Sequence, residues 1–368
     1  MILEKLTAFS NLYGSNPELV LAGGGNTSAK DGNIMYIKGS GTSLATITAD
    51  GFVKMDREKL ADIFTKKYPD DDKTREAMSL ADLTAAKLAG QQGKRPSVET
   101  TLHSLFEQRY VLHLHPCLVN ALTCAKNGKA ECERLFGKSV LWIEPCKPGY
   151  TLAKLCFDRM AEYKAANGRC ADIILLANHG IFVADDDDEK LGDKLYGVMD
   201  AIRNETVREA DLDTGDYDGD AATESFNALS EICGEDTVVT FCPSAASLEF
   251  AAAESEFEKV KMPFNPDQVV YCKAYPVYAE NAAEISGLVE KYKAANGFLP
   301  KIFLVKNAGL FAADATQKGS ETAAMLFEDA MKIAVGAEAF GGALPMSADL
   351  TDFITNWEAE SYRSKQQK

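Results

Sequence analysis

The chain has 368 residues, 46% apolar and 26% charged, a globular composition long enough for one large domain or two ordinary ones. A net charge of −16 excludes the basic face that nucleic-acid binding needs, while leaving room for a small anionic substrate held by a few backbone N–H groups. Nine cysteines without a C-x-x-C pair read as reduced, mostly buried thiols of a cytoplasmic protein. The start, MILEKLTAFSNLYG, does not read as a signal peptide, and no apolar run approaches the roughly 20 residues that span a bilayer.

Taken in chain order, the first features are two glycine-rich stretches. Leu21–Lys30 reads LAGGGNTSAK, and after the turn Asp31-Gly32-Asn33 comes IMYIKGSGTSL. Such loops are more often tight turns, but their N–H, hydroxyl and amide donors also suit a phosphate. They match neither the P-loop nor the dinucleotide fingerprint. Further on, β-branched or aromatic runs at Ile34–Ile37, Val111–His115, Val140–Ile143, Ile173–Ala177 and Ile181–Val183 predict strands. Helices are predicted near Arg57–Lys67, Met78–Leu88, Leu118–Lys126, Leu152–Asn167 and Glu189–Glu209. The short return from Ala177 to Ile181 predicts a hairpin, hence an α/β fold whose sheet contains antiparallel pairs.

The chain has four histidines. His113 and His115, at i and i+2 of a strand, share one face. Buried side by side they need a cation between them, unless they are partly exposed or satisfied by backbone carbonyls. His179 sits in LLANHGIFVAD, where Gly180 permits a tight path; it reads as a turn histidine or a third ligand. Three imidazoles with an open fourth position form the usual catalytic zinc arrangement. His103 follows Glu99 by four residues on a predicted helix face, where it orients that carboxylate or simply packs; packing is the more common outcome.

The second half echoes the first. Tyr163–Asp185 and Tyr292–Asp314, offset by 129 residues, are identical at 13 of 23 positions and both contain YKAANG. Upstream, SVLWI at Ser139–Ile143 aligns with QVVYC at Gln268–Cys272, and VLHLHP with VVTFCP at Val238–Pro243. In that alignment Thr240, Cys242 and Ala308 replace His113, His115 and His179. The division expected is a metal-binding domain at 1–210, an acidic linker at 211–224 and a degenerate repeat without metal ligands at 225–368. The linker's aspartates do not fit the EF-hand loop, because no register supplies both its glycine and its glutamate.

GGGNTS, KGSG, PSVET, HLHP and NHG, in that order, resemble the class II aldolase/adducin family. PSVETTLH, LWIEPCKPGYTLA and VGAEAFGGALP bring the chain closest to the aldolase portion of bifunctional rhamnulose-1-phosphate aldolase/alcohol dehydrogenases. The dehydrogenase glycines are absent, so oxidoreductase activity is expected to be absent too. The resemblance implies a three-layer α-β-α fold with a mixed, largely antiparallel central sheet, followed by a degenerate second copy. It implies His113, His115 and His179 as ligands of a divalent ion, most often Zn2+, and Glu99 as the catalytic carboxylate. Gly25, Asn26, Ser40, Gly41 and Ser97 match the phosphate-binding loops, with Lys38 added by charge alone. Val98 stands where many sugar-phosphate aldolases carry a second serine.

The implied activity is cleavage of a ketose 1-phosphate, of rhamnulose or fuculose type, to dihydroxyacetone phosphate and an aldehyde through a metal-stabilised enediolate. The alternatives are a sugar-phosphate epimerase or dehydratase of the same family, and a non-catalytic, adducin-like assembly protein. The expected partner is a small sugar phosphate, with no nucleic acid and no membrane. Family sites lie between subunits of a ring, which leaves a homo-oligomer open.

Overall fold

The computed structural model describes residues 2–234 and 236–357. It divides into two compact units: one holds the residues through Thr123 together with Gly128–Asn204, the other Cys124–Asn127 and the residues from Glu205 onward.

In the first unit, seven strands form one sheet: β1 (Asn26–Asp31), β2 (Ile34–Lys38), β3 (Phe52–Asp56), β4 (Tyr110–Leu114), β5 (Leu141–Ile143), β6 (Ile173–Leu176) and β7 (Gly180–Asp185). Their order is β3-β2-β1-β4-β7-β6-β5. Only β5 and β6 pair in parallel, so the sheet is mixed and largely antiparallel, as expected. One face, bearing Val111, Ile174, Phe182 and Ala184, is covered by apolar side chains of the helices Thr100–Ser104 and Tyr150–Asn167. On the other, Phe9 of the helix Ile2–Gly14 meets the Tyr110 ring edge-on, and the helix Asp188–Arg203 packs on β4 and β7. Covering both faces explains why every residue of β4 is buried.

Helix limits follow local chemistry. Asp56 and Asp187 cap the helices Arg57–Thr65 and Asp188–Arg203 by accepting backbone N–H bonds, and Gly168, at φ 74°, closes Tyr150–Asn167. The predicted strands and helices are all present with shifted ends. The elements that went unseen include the helices Ile2–Gly14 and Gly128–Phe136, β3, and β1, whose polar NTSAKD reads as loop. β1 is central and buried up to Lys30 because its polar side chains find partners inside the unit.

In the second unit, β8 (Val238–Cys242), β9 (Val277–Ala279), β10 (Ile302–Val305) and β11 (Gly309–Asp314) take the order β8-β11-β10-β9. This repeats β4-β7-β6-β5, including the parallel outer pair. Asn178 and Asn307 hold the same left-handed turn, at φ 56° and 62°. Two details of the expected repeat are corrected. Gln268–Cys272 is not a strand but lies in the helix Pro266–Cys272, started by an Asn265 cap and a proline in its first turn; β9 takes the place of β5. The register on β8 also moves by one residue. His113 pairs with Phe182, whose counterpart Phe311 pairs with Phe241, so Phe241 and Pro243, rather than Thr240 and Cys242, stand where His113 and His115 do. Within the expected linker, backbone N–H groups of Ala245 and Ala246 donate to Asp213 and Asp211, and Asp218 caps the helix Gly219–Cys233.

Candidate metal centre

The site forms where β4 ends and the β6–β7 turn returns. His113 is the fourth residue of β4 and His115 lies just beyond it, on the same side of the chain. His179 is carried by the turn between β6 and β7. Asn178 adopts a left-handed conformation there, its N–H donating to Thr123 O, while the His179 N–H donates to Leu176 O. Gly180 follows because nothing larger fits: a Cβ there would lie 2.3 Å from the Leu114 carbonyl oxygen and 2.8 Å from His115 Cδ2. Glu99 comes from the opposite direction, at the start of the helix Thr100–Ser104.

Glu99, His113, His115 and His179 each turn one ligand atom to a common point, all within 4.8 Å of one another. Glu99 Oε1 is 3.2 Å from His113 Nε2 and 3.1 Å from His179 Nε2, and the Nε2 atoms of His113 and His115 are 2.9 Å apart. The His113 ring stacks on Phe182 at 4.0 Å between centroids, and its Nδ1 donates to the Ile181 carbonyl at 3.0 Å. With the proton of the neutral ring on Nδ1, Nε2 offers a lone pair to the cluster. A carboxylate oxygen and imidazole lone pairs aimed at one another repel unless a cation lies among them. The donor set therefore fits a divalent ion, and the carbonyl that fixes His113 is the usual support of a ligating histidine.

The other expected site residues gather at the same end of the sheet. Gly25, at φ 68°, lets the chain pass β4, since a Cβ would stand 2.9 Å from His113 O. The register that sets Ser28 opposite Ile37 brings this end of β1 level with Gly39. The KGSG and RPSVE segments are joined there: Ser40 N–H donates to Arg95 O, and Ser97 N–H to Lys38 O. Ser97 Oγ accepts the Glu99 N–H at 3.3 Å. Gly41, at φ 85°, turns the chain, and Lys38 is buried in β2. Asn26, expected at the phosphate, has its side chain engaged by two neighbours. Its Nδ2 donates to Glu99 Oε2 at 2.5 Å, and its Oδ1 receives His103 Nε2. His103 therefore does more than pack: Ser28 Oγ lies 2.8 Å from its Nδ1. The sequence signal for this was present, in the period-two Asn26-x-Ser28 and in the four-residue spacing of Glu99 and His103.

The family profile of the Class II Aldolase and Adducin N-terminal domain matches residues 4–206, which contain every one of these groups. The chain belongs to this family. A curated relative, the uncharacterized oxidoreductase YuxG of Bacillus subtilis (strain 168), is 28% identical over 207 residues, 54% of this chain. The match spans only 28% of that relative's length. Among solved structures, the N-terminal class II aldolase domain of a conserved protein from Thermoplasma acidophilum is similar at 27% identity and a TM-score of 0.47, over 55% of this chain and 93% of that one. An L-fuculose-1-phosphate aldolase from Thermus thermophilus is similar at 18% identity and a TM-score of 0.32, over 53% and 88%. Among the described residues, no helix of this class II aldolase/adducin chain is long and apolar enough to cross a membrane.

Proposed function

We propose that the first unit is a divalent-metal-dependent aldehyde-lyase, reversibly cleaving a ketose 1-phosphate of rhamnulose or fuculose type to dihydroxyacetone phosphate and an aldehyde. The observation that carries this reading is the convergence of one potential ligand atom from each of three imidazoles and Glu99 within 4.8 Å. His113, His115 and His179 are assigned as the ligands, and an all-imidazole set of three favours zinc. A bound ion supplies Lewis acidity for the charge that develops on the substrate's carbonyl oxygen as the C3–C4 bond breaks. Glu99 carries the proton: in cleavage it takes the one released by the C4 hydroxyl as the aldehyde forms and delivers it to C3, and in synthesis it returns it, with Oε1 on the side of the imidazoles and Oε2 held by Asn26.

The Ser40 and Ser97 hydroxyls and the backbone of Gly25 and Gly41 are assigned to the phosphate, supported by their common position at this end of the sheet. The Asn26 side chain is engaged by Glu99 and His103, which moves its assigned role from phosphate to carboxylate. The second unit is read as a degenerate copy of β4–β7 that supports the first.

The test is metal analysis of the purified protein, followed by incubation with rhamnulose, fuculose and ribulose phosphates. One ion per chain and release of dihydroxyacetone phosphate with an aldehyde are expected. Interconversion of pentulose phosphates without aldehyde release would replace the lyase by an epimerase, and absence of a stoichiometric ion would end the metal reading.

A further inference from the structure

Behind Glu99 runs a line of polar groups that the proposed chemistry does not use. Asn26 and Ser28 lie two residues apart on β1, hence on one face, and His103 stands one helical turn after Glu99. Ser28 and His103 are fully buried and Asn26 is 5% exposed, so each must be satisfied inside the protein. The contacts run Ser28 Oγ to His103 Nδ1, His103 Nε2 to Asn26 Oδ1, and Asn26 Nδ2 to Glu99 Oε2.

The direction of this line follows from its end. An ionised carboxylate only accepts, so Asn26 must turn its NH2 group to Glu99 and its carbonyl to His103. His103 Nε2 then donates, and burial, aided by the nearby His113, holds the ring well below its usual range and therefore neutral. Its Nδ1 is left to accept the Ser28 hydroxyl. Every proton points toward Glu99, and bonds aligned head to tail in a buried setting reinforce one another.

We infer that Ser28, His103 and Asn26 form a positioning relay that fixes Glu99 by its Oε2 and presents Oε1 to the three imidazoles. A carboxylate attached only to the backbone of its helix could rotate away from the imidazoles or pair with them in several ways. With Oε2 held, one orientation remains. Their side chains act through Glu99, whose Oε1 lies beside the His113 and His179 imidazoles, and removal of such outer groups of a metal site typically costs about 10–100-fold in affinity or activity.

The experiment exploits two isosteres. In His103→Gln the amide nitrogen can occupy the place of Nε2 and still donate to Asn26; in His103→Asn the side chain reaches only the place of Nδ1. Wild type and both variants are stripped of metal, titrated with Co2+ and followed by visible absorbance, with thermal unfolding measured alongside. The relay predicts Co2+ affinity about 10-fold or more weaker in His103→Asn, recovered to within about threefold in His103→Gln. The cleavage kcat, where cleavage is observed, should follow the same order with KM nearly constant. Equal affinity in all three proteins, or equal losses that track the melting temperatures, would overturn the inference. It rests on the metal site proposed above: a wild-type protein that takes up no Co2+ ends both readings, whereas wild-type uptake with indifferent variants ends the relay alone.

Discussion

At the junction of β4 and β7, the ring of His113 lies on Phe182, 4.0 Å between centroids and tilted by 16°. At the junction of β8 and β11, the ring of Phe241 lies on Phe311, 4.6 Å apart and tilted by 23°. The register, the stacking and the left-handed asparagine turn are the same; the heteroatoms are not. The difference teaches that the ring stacking and strand pairing of this scaffold do not depend on the candidate metal ligands, which are a separate addition. The first sheet also has β1, β2 and β3 beside β4, whereas β8 ends its sheet among the described residues. Those extra strands and the helix Thr100–Ser104 carry Asn26, Ser28, Glu99 and His103. The proposed metal centre draws on both the histidines and that second layer.

The largest expected effect comes from removing the proton carrier: Glu99→Gln should retain a stoichiometric ion yet lose about 10²–10⁴ of lyase activity. Full activity in that variant would sink the assignment. Turning the first corner into the second is the next test. His113→Phe combined with His179→Ala should abolish stoichiometric metal in elemental analysis, while far-ultraviolet circular dichroism still reports the native fold. Loss of the fold itself would show that the histidines, not the ring stacking, hold this corner.

Gly180→Ala measures how tightly the turn is pressed against β4. With the Leu114 carbonyl oxygen 2.3 Å from the added Cβ, a loss of about 1–3 kcal/mol is expected in denaturant unfolding, against almost none for Gly197→Ala, which meets open space. An equal effect at the two glycines would remove the close approach from the account.

A smaller effect reports on the polar strand that only the first sheet has. Burial, with Arg57 nearby, lowers the Lys30 ammonium to about 7 from its ordinary 10.5. Between those values the unfolded chain binds more protons than the folded one, so stability rises with pH, by at most about 1.4 kcal/mol per pH unit. The penalty is fully present below about 7 and relieved as pH climbs toward 10.5. Urea unfolding between pH 7 and 9 should show this slope, and Lys30→Met should flatten it. The least effect is expected from the reverse graft: Phe241→His with Ala308→His should bind no stoichiometric ion, because among the described residues no counterpart of β1 pairs with β8.

Much of this was legible in the sequence. Strand periodicity and the hairpin return placed β4, β6 and β7, and the 129-residue echo exposed the shared strand–turn–strand. The HxH spacing put two imidazoles on one face, because alternation along a strand is a local property. The residues of β1 were different. NTSAK has the composition of a loop and becomes a buried central strand only because His103, Glu99 and the Gln108 carbonyl arrive from elsewhere to satisfy it. The one-residue register on β8 was likewise set by pairing with β11, not by letters shared with β4. Residue type and spacing thus determined the strands, the turn and the candidate donors. Their convergence, and the redirection of Asn26 from a loop donor to the partner of Glu99, depended on contacts between residues more than 70 positions apart, which only the tertiary structure decides.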